Sequence, residues 1–305
     1  MALVMWIGSG SDNTPPAVNS QTSMKELDFK MIADYVLIRP MRMMPPSRNP
    51  RAAFTLTELC VVIACIAILA VLVLPALAAS KVQSASAGCL YNLRQLMAGC
   101  GMYQTEYNDY LMPNSPLLAG NNTNTWVGGA ENWSSADANT NPVYYTSTLM
   151  WRYVNNDLNV YRCPGDVVQS ANGTRIRSYS MNGQVGSTVS QVYNVGDLIY
   201  LKGSDIVRPT PANAFVFADE SPDSINDGYL QTGLNSPVFP DVPACYLEGG
   251  CGFSFADGHG EIHRWQTSVL LIPVRQGYTQ INVGSGTMSA NNADWVWFRQ
   301  HASSR

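Results

Sequence analysis

The longest apolar stretch of the chain runs from Leu59 to Ala79, 21 residues without a charge. A helix rises about 1.5 Å per residue, so a segment of this length can cross the hydrocarbon core of a bilayer. The flank before it, residues 40–57, holds no acidic residue and three basic ones, Arg42, Arg48 and Arg51. Positively charged flanks stay in the cytoplasm. The pattern therefore predicts a single membrane span that leaves the rest of the chain outside the cytoplasm.

A one-sided apolar stripe follows this stretch, with steps that alternate between four and three residues: Val82, Ser86, Cys89, Leu93, Leu96, Cys100, Tyr103 and Tyr107. Such spacing places the stripe on one face of a helix. The two segments together predict one helix from about Thr57 to about Tyr107, roughly 75 Å long. Pro75 lacks an N–H and should kink it. The first half suits lipid or a filament core, and the second half suits packing under a globular head.

Beyond Tyr110, short apolar stretches are separated by Gly, Pro and Asn, which is typical of a β-rich head with long loops. The predicted strands are 214–218, 253–256 and 261–265. The chain is therefore expected to have an α+β fold, in which the second half of the long helix packs on the head. We divide it into a leader over 1–53, a helix over 54–110 that spans the membrane to about residue 79, and a head over 111–305.

Asp257-Gly258 is a strong signal for a two-residue hairpin turn. Pairing around it sets Ser254 opposite Glu261 and Phe253 opposite Ile262. That register predicts a core face of Phe253, Phe255 and Ile262, and it sends a possible ligand set to the other face: His259, Glu261 and His263. These three residues are a weak candidate for a zinc site. A merely polar outer face explains them better, so no metal is expected there.

A carboxylate stands at the edge of the apolar run, where Glu58 follows Phe54-Thr55-Leu56-Thr57. A carboxylate at membrane depth is costly and usually has a functional partner. Cleavage between Ala53 and Phe54 would create an α-amino group four residues away, and residues four apart are neighbours on a helix. We therefore expect Glu58 to pair with the amine of Phe54, in its own chain or in a neighbouring one.

The run Arg51-Ala-Ala-Phe-Thr-Leu-Thr-Glu-Leu, followed by Ala, Ile, Leu and Val residues, resembles the prepilin-type cleavage and methylation motif of type IV pilins and type II secretion pseudopilins. The resemblance implies that Ala53 ends the leader, that Phe54 is the N-methylated first residue, and that Glu58 and Pro75 serve assembly and helix kinking. It also implies a pilin-like fold and three kinds of partner: a prepilin peptidase, other pilin or pseudopilin subunits, and the assembly machinery of the inner membrane.

Two features depart from that family. Ala53 replaces the usual Gly, and the leader is longer than the family's. Residues 1–40 have no leader character, so we expect translation to start at Met41, Met43 or Met44. Two other processing routes stay open: Pro75-Ala76-Leu77-Ala78-Ala79 fits an ordinary signal peptidase, and Val62-Ile63-Ala64-Cys65 loosely fits a lipoprotein box.

Several later segments resemble one branch of pilin-like proteins, up to about Trp265. They are Cys89-Leu-Tyr-Asn-Leu-Arg-Gln-Leu, Tyr161-Arg-Cys-Pro-Gly-Asp, Ser178-Tyr-Ser-Met-Asn-Gly and Phe255-Ala-Asp-Gly-His-Gly-Glu-Ile-His. This branch has a C-terminal signature of a His, nine residues, then Asp-Gly. Asp257-Gly258 matches the end of the signature, whereas Leu247 stands where its His should be.

Charged residues make up only 13% of the chain, and its net charge is −4. It has no basic stripe, so nucleic acid is not expected as a partner. Seven cysteines are present. Outside the cytoplasm disulfides are permitted, and Cys245 and Cys251, which flank a Leu-Glu-Gly-Gly stretch, are the first choice for a bridge. Cys60 and Cys65 lie in the apolar run and are expected to behave as small hydrophobes.

No phosphate loop, nucleophile elbow or dinucleotide fingerprint occurs in the sequence, so an enzyme is not expected. A structural calcium ion is a second weak option, since four acidic residues cluster in one stretch, Asp219, Glu220, Asp223 and Asp227. The function predicted is that of a structural filament subunit, of a type IV pilus or a type II secretion pseudopilus. The alternative is a membrane-tethered or secreted surface-binding module that does not polymerise.

Overall fold

The computed structural model describes residues 54–116, 123–187, 195–231, 233–276 and 283–304. The chain divides into two units, Met1–Leu59 and Cys60–Arg305. The second unit contains three α-helices in whole or in part, α1 (Leu56–Glu106), α2 (Val143–Thr146) and α3 (Ala293–Ala302). It also contains five strands, β1 (Tyr179–Asn182), β2 (Phe215–Asp219), β3 (Tyr229–Leu230), β4 (Gly250–Phe255) and β5 (Gly260–Arg264). The fold is α+β, as predicted.

Helix α1 has 51 residues, and its ends lie within one residue of the predicted ones. Its stripe is buried from Cys89 to Tyr103, which confirms the one-sided second half. Tyr107 lies beyond the helix end and is exposed. The helix continues without a break through Pro75.

The strands form one mixed sheet in the order β3-β1-β2-β4-β5. β1 and β3 are parallel, and the other neighbours are antiparallel. The three strands predicted from the sequence correspond to β2, β4 and β5. The short strands β1 and β3 were not predicted, because neither shows a run of alternating apolar residues long enough to stand out.

The predicted register of the β4–β5 hairpin is wrong by one residue. Phe253 lies opposite Glu261, and Ser254 lies opposite Gly260. The turn takes three residues, because the N–H of Phe255 donates to the carbonyl of His259 and Gly258 adopts a φ of +96°. A one-residue slip moves every side chain to the other face. His259, Glu261 and His263 therefore share a face with Phe253 and Phe255, and Ile262 lies on the opposite one.

Each face of the sheet is covered by a hydrophobic core. On one face, α1 packs through Cys89, Leu93 and Leu96 against a core that includes Trp126, Tyr161 and Phe217. On the other face, α3 packs on β2 and β4, with the Phe298 ring 5.1 Å from that of Phe215 and the Trp297 ring 5.0 Å from that of Phe253. The sheet is thus a middle layer between α1 and α3.

Helix α3 was not predicted, although its sequence carries the signals. Asn292 caps it, accepting hydrogen bonds from the N–H groups of Asp294 and Trp295. The buried residues Trp295, Phe298 and Ala302 recur at steps of three and four. The sequence analysis assigned the region after residue 265 only to the β-rich head and named no element there.

Candidate functional site

The N-terminus of α1 is a capping box. The Glu58 carboxylate accepts hydrogen bonds from the backbone N–H of Thr55 at 2.9 Å and from its hydroxyl at 2.8 Å. In return, the N–H of Glu58 donates to Oγ1 of Thr55 at 3.2 Å. This reciprocal pairing satisfies donors that a helix otherwise leaves free at its start. Glu58 thus has a local role that the sequence analysis did not assign, although Thr55-x-x-Glu58 is the signature of it.

The first half of α1 exposes almost every apolar side chain. Phe54 is 75% exposed, Leu56 77% and Leu72 66%. Within the described residues, one helix segment, Leu56–Leu74, is long and apolar enough to cross a membrane by length and composition. A continuous apolar surface of this size needs cover, since soluble monomers rarely expose patches above a few hundred Å². The exposed side chains of residues 54–74 and of Leu77 are called the apolar rod below.

The structure describes only some of the other predicted processing and assembly residues. Ala53 lies outside the described residues, whereas Phe54 directly precedes the capping box. Pro75 lies within α1, but its side chain is outside the described part of the structure. The predicted pairing of Glu58 with the amine of Phe54 concerns the cleaved chain and stays a prediction.

The two histidines that were weighed as metal ligands, His259 just before β5 and His263 within it, pack against aromatic rings. His259 stacks on Phe255 with ring centroids 4.4 Å apart, and its Nδ1 lies 2.6 Å from the carboxylate of Asp257. His263 stacks on Trp297 of α3 at 3.6 Å. Together with Glu261 they form no group whose ligand atoms lie within 4.8 Å, in the part of the chain described. The His263 ring is thus part of the packing between β5 and α3, whereas the His259 ring packs on β4.

Burial beneath Trp297 lowers the pKa of His263 to about 4. The folded state therefore favours the neutral ring, so its stabilising contribution is complete above the unfolded pKa of about 6.5 and is lost as the pH falls towards 4. We expect His263→Phe, which keeps a ring, to unfold at nearly the parent's denaturant concentration at pH 7.5. At pH 4.5 the parent should lose about 1–2 kcal/mol relative to the variant, after allowance for solvent screening. Equal losses in both chains would contradict this assignment.

Cys245 and Cys251, the pair favoured for a disulfide, are free thiols in the structure. Cys251 Sγ donates to the carbonyl of Asp219 at 3.2 Å, whereas Cys245 Sγ donates to that of Ile272 at 3.3 Å. The intervening Glu248 and Gly249 both have positive φ, so the stretch does turn as the sequence indicates. Despite this turn, the two thiols donate to different carbonyl groups.

A cluster of two thiols and one carboxylate lies between α1 and the sheet. Sγ of Cys89, Sγ of Cys163 and a carboxylate oxygen of Asp219 lie within 4.8 Å of one another, and all three residues are buried. Cys89 Sγ donates to Asp219 Oδ2 at 2.8 Å. Sequence analysis missed this cluster, because 130 positions separate Cys89 from Asp219 and no local sequence pattern indicates that the two residues are in contact.

Asp219 has neutral hydrogen-bond donors. Besides Cys89, its carboxylate accepts from the hydroxyl of Tyr246 at 2.9 Å and from that of Ser178 at 3.4 Å. Burial raises the pKa of Asp219 to about 7, against the lowering effect of these donors. The group can therefore exchange a proton near neutral pH.

The acidic stretch that suggested calcium is buried, and its members have separate partners. Asp219 belongs to the cysteine cluster. Glu220 accepts from the hydroxyls of Ser180 and Ser224, Asp223 from the N–H of Arg275, and Asp227 from the N–H of Tyr229. These four carboxylates form no group with ligand atoms within 4.8 Å among the described residues. They support the backbone of the head.

Leu247, which stands at the position of the signature histidine, is a core residue. It is 1% exposed and belongs to the core between α1 and the sheet. A side chain on Gly165 would come within 2.6 Å of it, so the Cys163-Pro164-Gly165 turn packs directly on Leu247. Comparison of the chain with protein-family models, curated proteins and solved structures gave no match.

Proposed function

We propose that the chain is a structural subunit of a filament of the type IV pilus or type II secretion pseudopilus kind, matured by a prepilin peptidase. The observation that carries the proposal is the difference between the two halves of α1. One continuous helix is apolar and exposed at its start, and it becomes one-sided and buried under the head after about Cys89. Such a helix suits transfer of the apolar rod from lipid into the core of a filament.

The chemistry at the start of the apolar rod supports the same role. The basic residues before Phe54 keep the leader in the cytoplasm, where a prepilin peptidase would cut after Ala53. Cleavage leaves a free amine on Phe54, close in sequence to the carboxylate of Glu58. Partners would be other subunits and the inner-membrane assembly machinery, and the head would lie outside the cytoplasm.

The N-terminus of the mature chain tests this proposal. We expect mass spectrometry of the membrane form to find a chain that begins at N-methyl-Phe54. Ala53→Gly should leave processing intact or speed it, because the usual residue of the motif is restored, whereas Ala53→Leu should block it. A mature chain that begins at Ala79 would instead assign the protein to ordinary secretion and remove the apolar rod from it.

A further inference from the structure

The Cys89–Cys163–Asp219 cluster draws its members from three separate parts of the fold. Cys89 lies on α1, Cys163 on the turn after the 3-10 helix Leu158–Tyr161, and Asp219 at the end of β2. Cys245 donates to the carbonyl of Ile272, and Cys100 lies three turns further along α1. Cys251 donates to the backbone carbonyl of Asp219, but it belongs to the core on the other face of the sheet, whereas Cys89 and Cys163 belong to the core beneath α1. The fold therefore brings Cys89 of α1 and Cys163 of the head side by side.

Close contacts hold the two thiols in place. A side chain on Gly88 would come within 2.9 Å of Pro164, so α1 and the Cys163 turn touch there. Asn92 Nδ2 donates to the carbonyls of Asn159 at 3.0 Å and Arg162 at 2.8 Å, which ties the turn to the next turn of α1. The sulfur atoms of a disulfide are about 2.05 Å apart. The Sγ atoms already lie within 4.8 Å of each other, so bond formation needs a further approach of at most about 2.8 Å.

One member of the cluster borders a surface groove. A groove of about 500 Å³ runs between α1 and the Cys163 turn, and Cys163 lines it together with Gly88, Tyr91 and Pro164. Burial raises the pKa of both thiols, and at Cys163 the N–H of Gly165, 3.4 Å from Sγ, opposes this by stabilising the thiolate. Cys163 has no exposed surface, but of the three cluster residues it is the one that lines the groove, so we take it as the first thiol that an oxidant attacks.

From this arrangement we infer that Cys89 and Cys163 form an intramolecular disulfide that joins α1 to the head. The inference rests on the proposed function, because the head must lie outside the cytoplasm for such a bond to persist. The oxidant belongs to the class of soluble or protein disulfides.

The electron balance follows thiol–disulfide exchange. The Cys163 thiolate attacks one sulfur of the oxidant and releases its other sulfur as a thiolate. Asp219 Oδ2 accepts the proton of Cys89, and the Cys89 thiolate then attacks Cys163 Sγ and expels the second sulfur of the oxidant. Two protein thiols are oxidised, one oxidant disulfide is reduced, and both protons end on the released thiols.

The test uses the full chain extracted from membranes in N-ethylmaleimide without reductant. Peptide mapping should find Cys89 linked to Cys163, and the other cysteines alkylated. In detergent, reductant should lower the melting temperature of the parent by about 10 °C, because the bond closes a long loop. Cys89→Ala, Cys163→Ala and the double variant should each melt near the reduced parent and ignore reductant. Cys100→Ala, a buried cysteine of the same helix, should keep the reductant-sensitive shift.

Two controls separate this inference from the proposed function. Protease added to spheroplasts reports whether the head lies outside, and oxidised glutathione added to the purified, reduced chain reports whether the pair can bond. If the head lies inside the cell but Cys89 and Cys163 form a disulfide with oxidised glutathione, the proposed function is overturned and the ability of the two cysteines to bond is retained. An outside head whose thiols stay unlinked in both conditions would overturn the pair. One zinc ion per chain, lost in Cys89→Ala and Cys163→Ala, would overturn it also.

Discussion

Glu58→Val and Glu58→Gln should both enter the membrane and be cut after Ala53, yet fall at least about tenfold in their incorporation into filaments. A carboxylate at membrane depth needs a positive partner, and the new amine of Phe54 in a neighbouring subunit can provide it. The measurement compares the sheared surface fraction with the membrane fraction for each variant.

Because Glu58 is part of a capping box, the variants must separate the effect of its charge from the effect of its hydrogen bonds. Gln replaces Glu in a capping box without loss of its hydrogen bonds, so Glu58→Gln removes the charge alone. Thr55→Ala removes the cap and keeps the charge, at a cost of about 1 kcal/mol to the helix end. We expect Thr55→Ala to assemble. If Glu58→Gln assembled like the parent while Thr55→Ala failed, the glutamate would act as a helix cap, and filaments absent even from the parent would favour a tethered surface-binding module.

Gly252→Ala should destabilise the folded head by about 2–3 kcal/mol. Gly252 lies in the middle of β4, where α1 approaches the sheet, and an added Cβ would sit 2.7 Å from Cys89 Sγ and 2.8 Å from Leu93. Neither neighbour can retreat easily, since both are fully buried. Denaturant unfolding of the full chain in detergent measures the effect.

Gly101→Ala provides the matched control. Gly101 lies on α1, and nothing lies within 4 Å of an added Cβ there. Alanine is a better helix former, so this variant should gain about 0.5–1 kcal/mol. The same change thus has opposite signs at two glycines. A neutral Gly252→Ala would show that α1 does not press on β4 as described.

Sequence periodicity was enough to locate α1, because a helix of this length repeats its pattern many times and carries it on one face. The same reasoning placed β2, β4 and β5 but missed the register of the hairpin. A three-residue turn and a two-residue turn both fit Asp257-Gly258, and only the packing of Phe253 against α3 and of Ile262 beneath α1 decides between them.

The buried charges were also beyond sequence reasoning. Arg177 is 1% exposed, and its guanidinium donates to the carbonyls of Tyr179 and Asn226 and pairs with Glu131 at 3.8 Å. A lone arginine in a loop is expected at the surface. Its burial depends on the carbonyl of Asn226 and the carboxylate of Glu131, which come from distant segments and have no local signature. The same limit hid the Cys89–Cys163–Asp219 cluster.

The packing of α1 on the sheet has a geometric consequence for the apolar rod. A helix turns by about 100° per residue. Because α1 is continuous from Cys60 to Glu106, the direction of each side chain around the helix axis is set relative to all the others. Gly252 and Gly88 are points where the buried half of α1 approaches its neighbours too closely to rotate. In the proposed filament, the orientation of the head would therefore determine which side of the rod, from Cys60 onward, faces a neighbouring subunit. A one-residue insertion between the two halves would change that side and leave the head itself intact.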